Sequence, residues 1–530
     1  MVAMRMMVAA AVGVAATLVP ETLAQVSKAE ACETEVDASK VQLREGTMNS
    51  KVLRAEYAVR GPLLLRALEI EDDLRSGTGD YPFSRIVKCN IGNPQSLGQK
   101  PISFTRQVLS LVMNPELMKD RSTTSYPSDT YERAEQYLDA IGSIGAYSES
   151  QGVRLVREEI AAFISERDGG VRAHSQDLFL TAGASEAVKT LLTLLIRDEN
   201  DAVLIPIPQY PLYSSLTALM GGYMAEYYMG EEDNWAFDIE EVRRAIRAAK
   251  DLGKTVRAIV VINPGNPTGS KLTEEDMREI VSFCLEENLI LMADEVYQKN
   301  IYRDDDTFTS FRSIVQKMGL LSEEGIMQAS FQLASFHSTS KGVVGECGLR
   351  GGYVEMLGFP RAVIDQFYKL SSIGLCSNVP GQIAVGLMVN PPREGSPSFA
   401  QYEEESMAVF GSLKRRAAKL EAALNAMPGV SCKPLEGAMY AFPKIELPES
   451  FVAACLDRGQ SPDVAYALEL LESTGLVVVP GSGFGQREGT YHVRTTFLPP
   501  EDVMEDVLER FKAFHLSFME KHAQAAQETQ

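Results

Sequence analysis

Disulfide bonding, thiol metal binding and nucleic-acid binding are all poorly provided for in this 530-residue chain. Its seven cysteines, at 32, 89, 284, 347, 376, 432 and 455, are odd in number, scattered and never spaced as CxxC. That pattern excludes a disulfide framework or a zinc ribbon and reads as buried thiols in a reducing compartment. No His, Cys and Asp residues stand at metal-ligand spacing, so no metal site is expected. Basic residues are in deficit: 51 Lys and Arg against 72 Asp and Glu leave a formal charge of −21, with no block of like charge long enough to form an arm. This balance, with no helix-turn-helix pattern or basic patch near the N-terminus, argues against nucleic acid or an anionic membrane as the main partner. Internal repeats and low-complexity blocks are absent too.

What the chain does hold is apolar residues, 45% of the total, enough to fill more than one core, so two domains are expected. The first 24 residues, MVAMRMMVAAAVGVAATLVPETLA, carry one arginine, Arg5, then the apolar stretch Met6–Val19, and end in small residues around Ala24. Alone they resemble a secretory h-region with its cleavage site. The stretch is shorter than the roughly 20 residues of a membrane span. Because the cysteines do not suit secretion, we read residues 1–40 as a targeting or disordered segment with a mitochondrial destination, set against a cytoplasmic protein whose true start lies downstream, and exclude them from the fold.

Beyond that segment, strand-like and helix-like stretches alternate. LFLTAG (178–183), AVLIPIP (202–208), RAIVVIN (257–263), LILMADE (289–295), QLASFHST (332–339) and GGYVEML (351–357) are short apolar runs, separated by helical stretches such as SEAVKTLLTLLIRD and TEEDMREIVSFCLEEN. Strands buried on both faces read this way, and the alternation predicts an α/β fold with a mostly parallel sheet between helices. That larger domain is expected over 120–390. The segment PPREGSPSFAQYEEES (391–406), rich in Pro, Ser and charge, marks its end, and a smaller α+β domain is expected from 391–530 together with 41–119.

Chemistry concentrates at the strand ends. In TAGASEAVKTLL, Gly183 allows a tight turn, and the N–H groups of Ala184 and Ser185 at a helix start make a phosphate cradle, although such turns are also built for steric reasons alone. NPGNPTG (263–269) fixes an irregular loop that can aim the Asn266 amide at a ligand or serve only as a rigid turn. Asp294 ends a buried strand, which is costly unless the carboxylate meets a cation. A protonated pyridinium would supply one, and Tyr297 can hydrogen-bond the phenolate oxygen of the same ring; the structural alternative is a helix N-cap at Asp294 and a packed Tyr297. Lys341, framed by Ser338, Ser340 and Gly342 in SFHSTSKG, is crowded by small and hydroxylic residues, and its amine can form an imine with a cofactor aldehyde. An amine, a carboxylate and a phenol are the groups needed to hold and tune pyridoxal phosphate (PLP). Ser338, Ser340 and Arg350 can gather phosphate oxygens. Arg494, in the alternating GTYHVRTTF, needs an anion if buried: a substrate carboxylate or a structural partner. His337 and His492 adjoin two of these motifs and are read as structural.

In their order, TAGAS, PIPQYPLY, NPGNPTG, ADEVY, SFHSTSKG, GLRGGY and YHVRTTF resemble the fold-type I PLP enzymes of the class I/II aminotransferase group. More narrowly, EYAVRGP (56–62), CNIGNPQSLGQKP (89–101), GECGLRGGY (345–353) and PGSGFGQREGTYH (480–492) resemble the alanine aminotransferases within it, a likeness that runs from about Lys51 to about Phe518. The resemblance implies that Lys341 is the imine-forming lysine, Asp294 the pyridinium partner, and Asn266 and Tyr297 the pair on the phenolic oxygen. It further implies that Tyr210 stacks on the ring, that Ala184, Ser185, Ser338 and Arg350 contact phosphate, that Arg494 binds the substrate carboxylate, and that Gly92 closes over the substrate. Tyr147, in GAYSESQG, is similar to a tyrosine lent by a neighbouring subunit, which implies a homodimer with shared active sites. Arg350 stands one residue further from Lys341 than in many relatives. The implied substrates are small amino acids and 2-oxo acids: L-alanine and 2-oxoglutarate exchange an amino group, by a ping-pong route through pyridoxamine phosphate, to give pyruvate and L-glutamate. The alternatives are glyoxylate as acceptor and, from another class, a catalytically inactive PLP-fold binding module.

Overall fold

Apolar runs too short for helices and bounded by Gly, Pro, Asn and Ser form one seven-stranded sheet in the computed structural model, which describes residues 42–43, 47–57 and 61–528. The expected targeting segment, residues 1–40, lies outside the described residues. Contacts divide the chain into Met1–Leu53, where most of the short helix Ser50–Arg54 falls, and Arg54–Gln530, which holds every other described element.

The sheet strands are β1 (Leu178–Thr181), β2 (Asp201–Ile207), β3 (Tyr223–Tyr228), β4 (Thr255–Ile262), β5 (Ile290–Asp294), β6 (Gln332–Ser338) and β7 (Gly352–Leu357). Their spatial order is β1-β7-β6-β5-β4-β2-β3, and every pairing is parallel except the two made by β7. Six of the seven coincide with the apolar runs. The one not anticipated, β3, lies at an edge, and its residues are only half covered, so YMAEYY carries no continuous apolar signal. Along β2 the side chains alternate between two cores: Ala202 and Leu204 face one, packed by helices Ile239–Asp251 and Glu274–Glu287, and Val203 and Ile205 face the other, packed by helices Ala184–Leu195 and Arg361–Ile373. Burial on both faces is why these strands read as unbroken hydrophobic runs.

A further core joins Val87 and Cys89 to the long helices Phe399–Asn425 and Glu501–Glu528 and to Pro462–Thr474. The first of these begins at Phe399, inside the segment that composition marked as a break; only the part up to Ser398 lacks helical structure, because its Pro and Gly residues end at Pro397. Within this core, β8 (Tyr440–Ala441), β9 (Val479–Pro480) and β10 (Val493–Thr496) form a small antiparallel sheet in the order β8-β10-β9. Among the described residues, no helix is long and apolar enough to cross a membrane, and the six cysteines are free thiols.

Candidate active site

β4, β5 and β6 are parallel neighbours, and their C-terminal ends deliver Asn266, then Asp294 with Tyr297, then Ser338, Ser340 and Lys341 to one edge of the sheet. Ligands bind at this edge in open α/β folds. β1 leads there into the helix that starts at Ala184, β2 leads to Tyr210, and antiparallel β7 starts there just after Arg350. The small sheet adds Tyr440 and Arg494, and the segment after Cys89 adds Gly92. All of these residues line one cavity of about 600 Å³.

Asp294 is buried at the mouth of β5. One carboxylate oxygen, Oδ2, accepts a hydrogen bond from the Tyr213 hydroxyl at 2.8 Å, and Oδ1 has no partner. Burial pushes this carboxyl up, with the Tyr213 bond opposing. No helix begins at Asp294, so the N-cap alternative falls away; residues 296–299 form a turn that carries Tyr297 into the cavity. Burial also raises the Tyr297 phenol well above its usual range. Asn266 links two of the expected residues: its Nδ2 donates to Tyr297 Oη at 3.4 Å, and its Oδ1 accepts from Arg494 Nη1 at 3.1 Å.

Arg494 is 1% exposed. Its second Nη donates to the Asn90 carbonyl, its Nε has no partner, and its guanidinium lies between the rings of Tyr440 and Phe484, 4.2 and 4.5 Å from their centroids. Its hydrogen-bond partners are neutral, so the charge still lacks a carboxylate. Lys341 Nζ donates to the Gly92 carbonyl at 3.4 Å and to Tyr440 Oη at 3.5 Å. Gly92 must be glycine here, because a Cβ would stand 2.1 Å from Tyr440 Oη and 3.0 Å from Lys341 Nζ.

At the far end of the cavity the first turn of the helix Ala184–Leu195 presents N–H groups that have no intrahelical acceptor. Gly183, at φ 79°, lets the Arg350 guanidinium pass: a Cβ there would meet Nη2 at 2.2 Å. Arg350 donates from Nη2 to the Ala182 carbonyl at 3.0 Å and from Nη1 to the Cys347 carbonyl at 3.2 Å, so its shifted spacing still brings it to the cavity. Tyr210 Oη lies 2.5 Å from Tyr57 Oη on another wall.

Of the residues expected to hold the cofactor or substrate, Tyr147 alone is not part of this lining; it is 77% exposed in the loop after Gly145. His337 points away from the cavity edge-on to Tyr353, and burial takes its imidazole down to about 3. His492 is bonded to Glu231 Oε1 and Gln486 Oε1, both at 3.0 Å, in keeping with a structural role. Among the residues not anticipated, two contact the expected site groups directly, Tyr213 bonding Asp294 and Tyr440 contacting Lys341 and Arg494. Tyr213 sits in the quoted PIPQYPLY, three residues past Tyr210, where the start of a helix at Leu212 could have placed it under Asp294. Tyr440, in GAMYAFP, has no sequence signal beyond its alternation with small residues.

The cavity suits PLP on its own chemistry. A buried carboxylate oxygen without a partner calls for a positively charged ring nitrogen, a helix N-terminus beside an arginine calls for a phosphate, and a lysine amine stands between them. Among the described residues no group of His, Cys, Asp or Glu could hold a metal.

The family model "Aminotransferase class I and II" matches residues 118–511. The chain is 48% identical over 478 residues to alanine aminotransferase 2 of Panicum miliaceum, covering 90% of this chain and 98% of the relative. It is 48% identical over 476 residues to alanine aminotransferase 1 of Homo sapiens (89% and 94%) and 47% identical over 478 residues to alanine aminotransferase 1, mitochondrial, of Arabidopsis thaliana (90% and 87%). Among solved structures, an aminotransferase from Escherichia coli superposes with a TM-score of 0.70 at 25% identity (89% of this chain, 98% of that one). An alanine aminotransferase from Pyrococcus furiosus superposes with 0.69 at 26% identity (89% and 100%). A cavity at the strand ends whose lining suits PLP and a family match over most of its length lead to one conclusion: the chain belongs to the class I and II aminotransferases, which depend on PLP.

Proposed function

We propose that this chain is an alanine aminotransferase that passes the amino group of L-alanine to 2-oxoglutarate, giving pyruvate and L-glutamate by a ping-pong sequence. The observation that carries the reading is the convergence of Lys341, Asp294 and Arg494 on one cavity in a chain 48% identical across 478 residues to a protein named alanine aminotransferase.

When bound, PLP supplies the carbonyl carbon that takes up the amino group and the electron-withdrawing ring that stabilises charge at the substrate Cα. The chain supplies the rest. Asp294 would hold the ring nitrogen protonated, and Asn266 and Tyr297 would hold the phenolic oxygen. Tyr210 would pack on the ring, and Ala184, Ser185, Ser338, Ser340 and Arg350 would hold the phosphate. Arg494 grips the α-carboxylate through the fork that now has only neutral partners, and Gly92 leaves room for the substrate over Lys341. The Lys341 amine is the acid–base group that takes the proton from Cα. In this reading residues 120–390 act as the cofactor-binding domain, and 41–119 with 391–530 as the second domain. Two copies form a homodimer in which the exposed Tyr147 of each reaches the other's phosphate. Some relatives are named mitochondrial, which supports a mitochondrial address for this chain through residues 1–40.

The test is pyruvate formation from L-alanine with 2-oxoglutarate or glyoxylate as acceptor, across both substrate concentrations. Parallel double-reciprocal lines with 2-oxoglutarate are expected. Pyruvate formed with glyoxylate alone, or with neither acceptor, contradicts the assignment.

A further inference from the structure

Tyr440 belongs to none of the motifs, yet it neighbours four of the residues given roles above. Its ring lies under the Arg494 guanidinium at 4.2 Å and edge-on to Tyr297, with centroids 6.3 Å apart. Its Oη is 3.5 Å from Lys341 Nζ and fills the space beside Gly92, where a Cβ would meet it at 2.1 Å. These positions follow from the backbone. Tyr440 pairs with Thr496 on β10, two residues along from Arg494 and on the same face. One buried residue, Asn300, ties the turn before β8 to the loop that carries Lys341: its backbone carbonyl accepts from Ala438 N at 3.0 Å, and its side-chain Oδ1 accepts from Gly342 N at 2.8 Å. Tyr302 Oη braces the same turn by donating to the Ala438 carbonyl at 2.6 Å. Burial pushes the Tyr440 phenol up, but the positive charges of Lys341 and Arg494 outweigh it and leave the phenol below its ordinary value.

We propose that Tyr440 is a positioning residue for Lys341, its phenol oxygen accepting a hydrogen bond from Nζ and so holding the amine against Gly92, aimed into the cavity. The proposal rests on Lys341 being the group that takes the Cα proton.

The experiment compares Tyr440→Phe and Lys341→Ala with the wild-type holoenzyme, reading kcat and KM for L-alanine and, separately from turnover, the pH midpoint of the cofactor's visible band. Tyr440→Phe keeps the ring under Arg494 and removes only the oxygen. The expected result is a kcat lower by about 10-fold to 100-fold, as for a lost hydrogen bond to a charged group, with KM within about twofold. The pH midpoint should move down by about one unit, because the lost oxygen favours the protonated nitrogen. A wild-type kcat with an unmoved midpoint overturns the proposal. So does a lower kcat with an unmoved midpoint, which makes Tyr440 a packing residue, and so does a rise in KM alone, which assigns it to Arg494. Lys341→Ala separates the two levels: full turnover in that variant brings down the reading of Lys341 itself, whereas a dead Lys341→Ala beside an unaffected Tyr440→Phe brings down only the role of Tyr440.

Discussion

Asp294 and Glu295 are adjacent in sequence, both fully enclosed, and both have carboxyls pushed up by burial, yet they belong to different parts of the molecule. Asp294 ends β5 facing the cavity, with Tyr213 on one oxygen and nothing on the other. Glu295 turns to the other side and accepts from Phe311 N at 2.8 Å in a layer of charges behind the sheet. In that layer Arg167 pairs with Asp168 at 2.6 Å, Asp168 accepts from Ser310 Oγ at 2.8 Å, and Arg312 pairs with Glu355 at 3.1 Å while donating to the carbonyls of Val171 and Arg172. Glu295 and Glu355 also keep a spare oxygen each. Burial raises their carboxyls to about 8 and about 7, so a proton can satisfy the need where they stand. The difference teaches that burial of a carboxylate does not mark a functional group. What marks Asp294 is that its missing cation can arrive only from the cavity it lines.

Mutations on the two sides should therefore fail in different ways. Among variants that keep Lys341, the largest effect is expected for Asp294→Ala, which should lower kcat by about 10²-fold to 10³-fold with little change in thermal midpoint, as for the loss of one fixed electrostatic partner in a water-excluded site. A comparable loss of stability with near-normal kcat would erase the distinction. Next comes Arg312→Ala behind the sheet, which strips the guanidinium from Glu355, Asp168 and the carbonyls of Val171 and Arg172 together and should cost about 3–5 kcal/mol in denaturant unfolding while the folded fraction keeps its kcat. Arg494→Ala returns to the cavity side: KM for both amino acid and oxo acid should rise by about 10²-fold, the lower part of what a lost buried charge pair costs. Unchanged kinetics there would remove the carboxylate clamp.

The smallest effect is a slope. Because the Glu295 carboxyl sits at about 8 in the folded chain against 4.5 ordinarily, the native state holds more protons than the unfolded chain between those values. Stability therefore falls as pH rises through that window, by at most about 1.4 kcal/mol per pH unit for this group. Glu295→Gln keeps the shape of the protonated acid and should flatten the curve of unfolding free energy against pH between about 5 and 8 without altering kcat. An unchanged curve would show that Glu295 does not hold a proton in the layer.

The cavity side was legible in sequence because its residues sit in fixed loops at the ends of apolar strands, where ADEVY, NPGNPTG and SFHSTSKG are each contiguous. The layer behind the sheet was not, because Arg167, Arg312 and Glu355 come from distant helices and strands and look like ordinary surface charges until β6 and β7 are paired, with Ser335 opposite Glu355 and His337 opposite Tyr353. Tyr440 and Tyr213 were missed for a related reason: Tyr440 reaches the cavity, and Tyr213 reaches Asp294, across an interface between elements. The edge strand β3 escaped because half-covered residues need no apolar run.

The most direct test of the account follows the visible absorption of the PLP-loaded protein as L-alanine and then 2-oxoglutarate are added. Alanine should bleach the cofactor's band and 2-oxoglutarate should restore it, one half-reaction after the other in the same sample. A band that alanine leaves unchanged would contradict it.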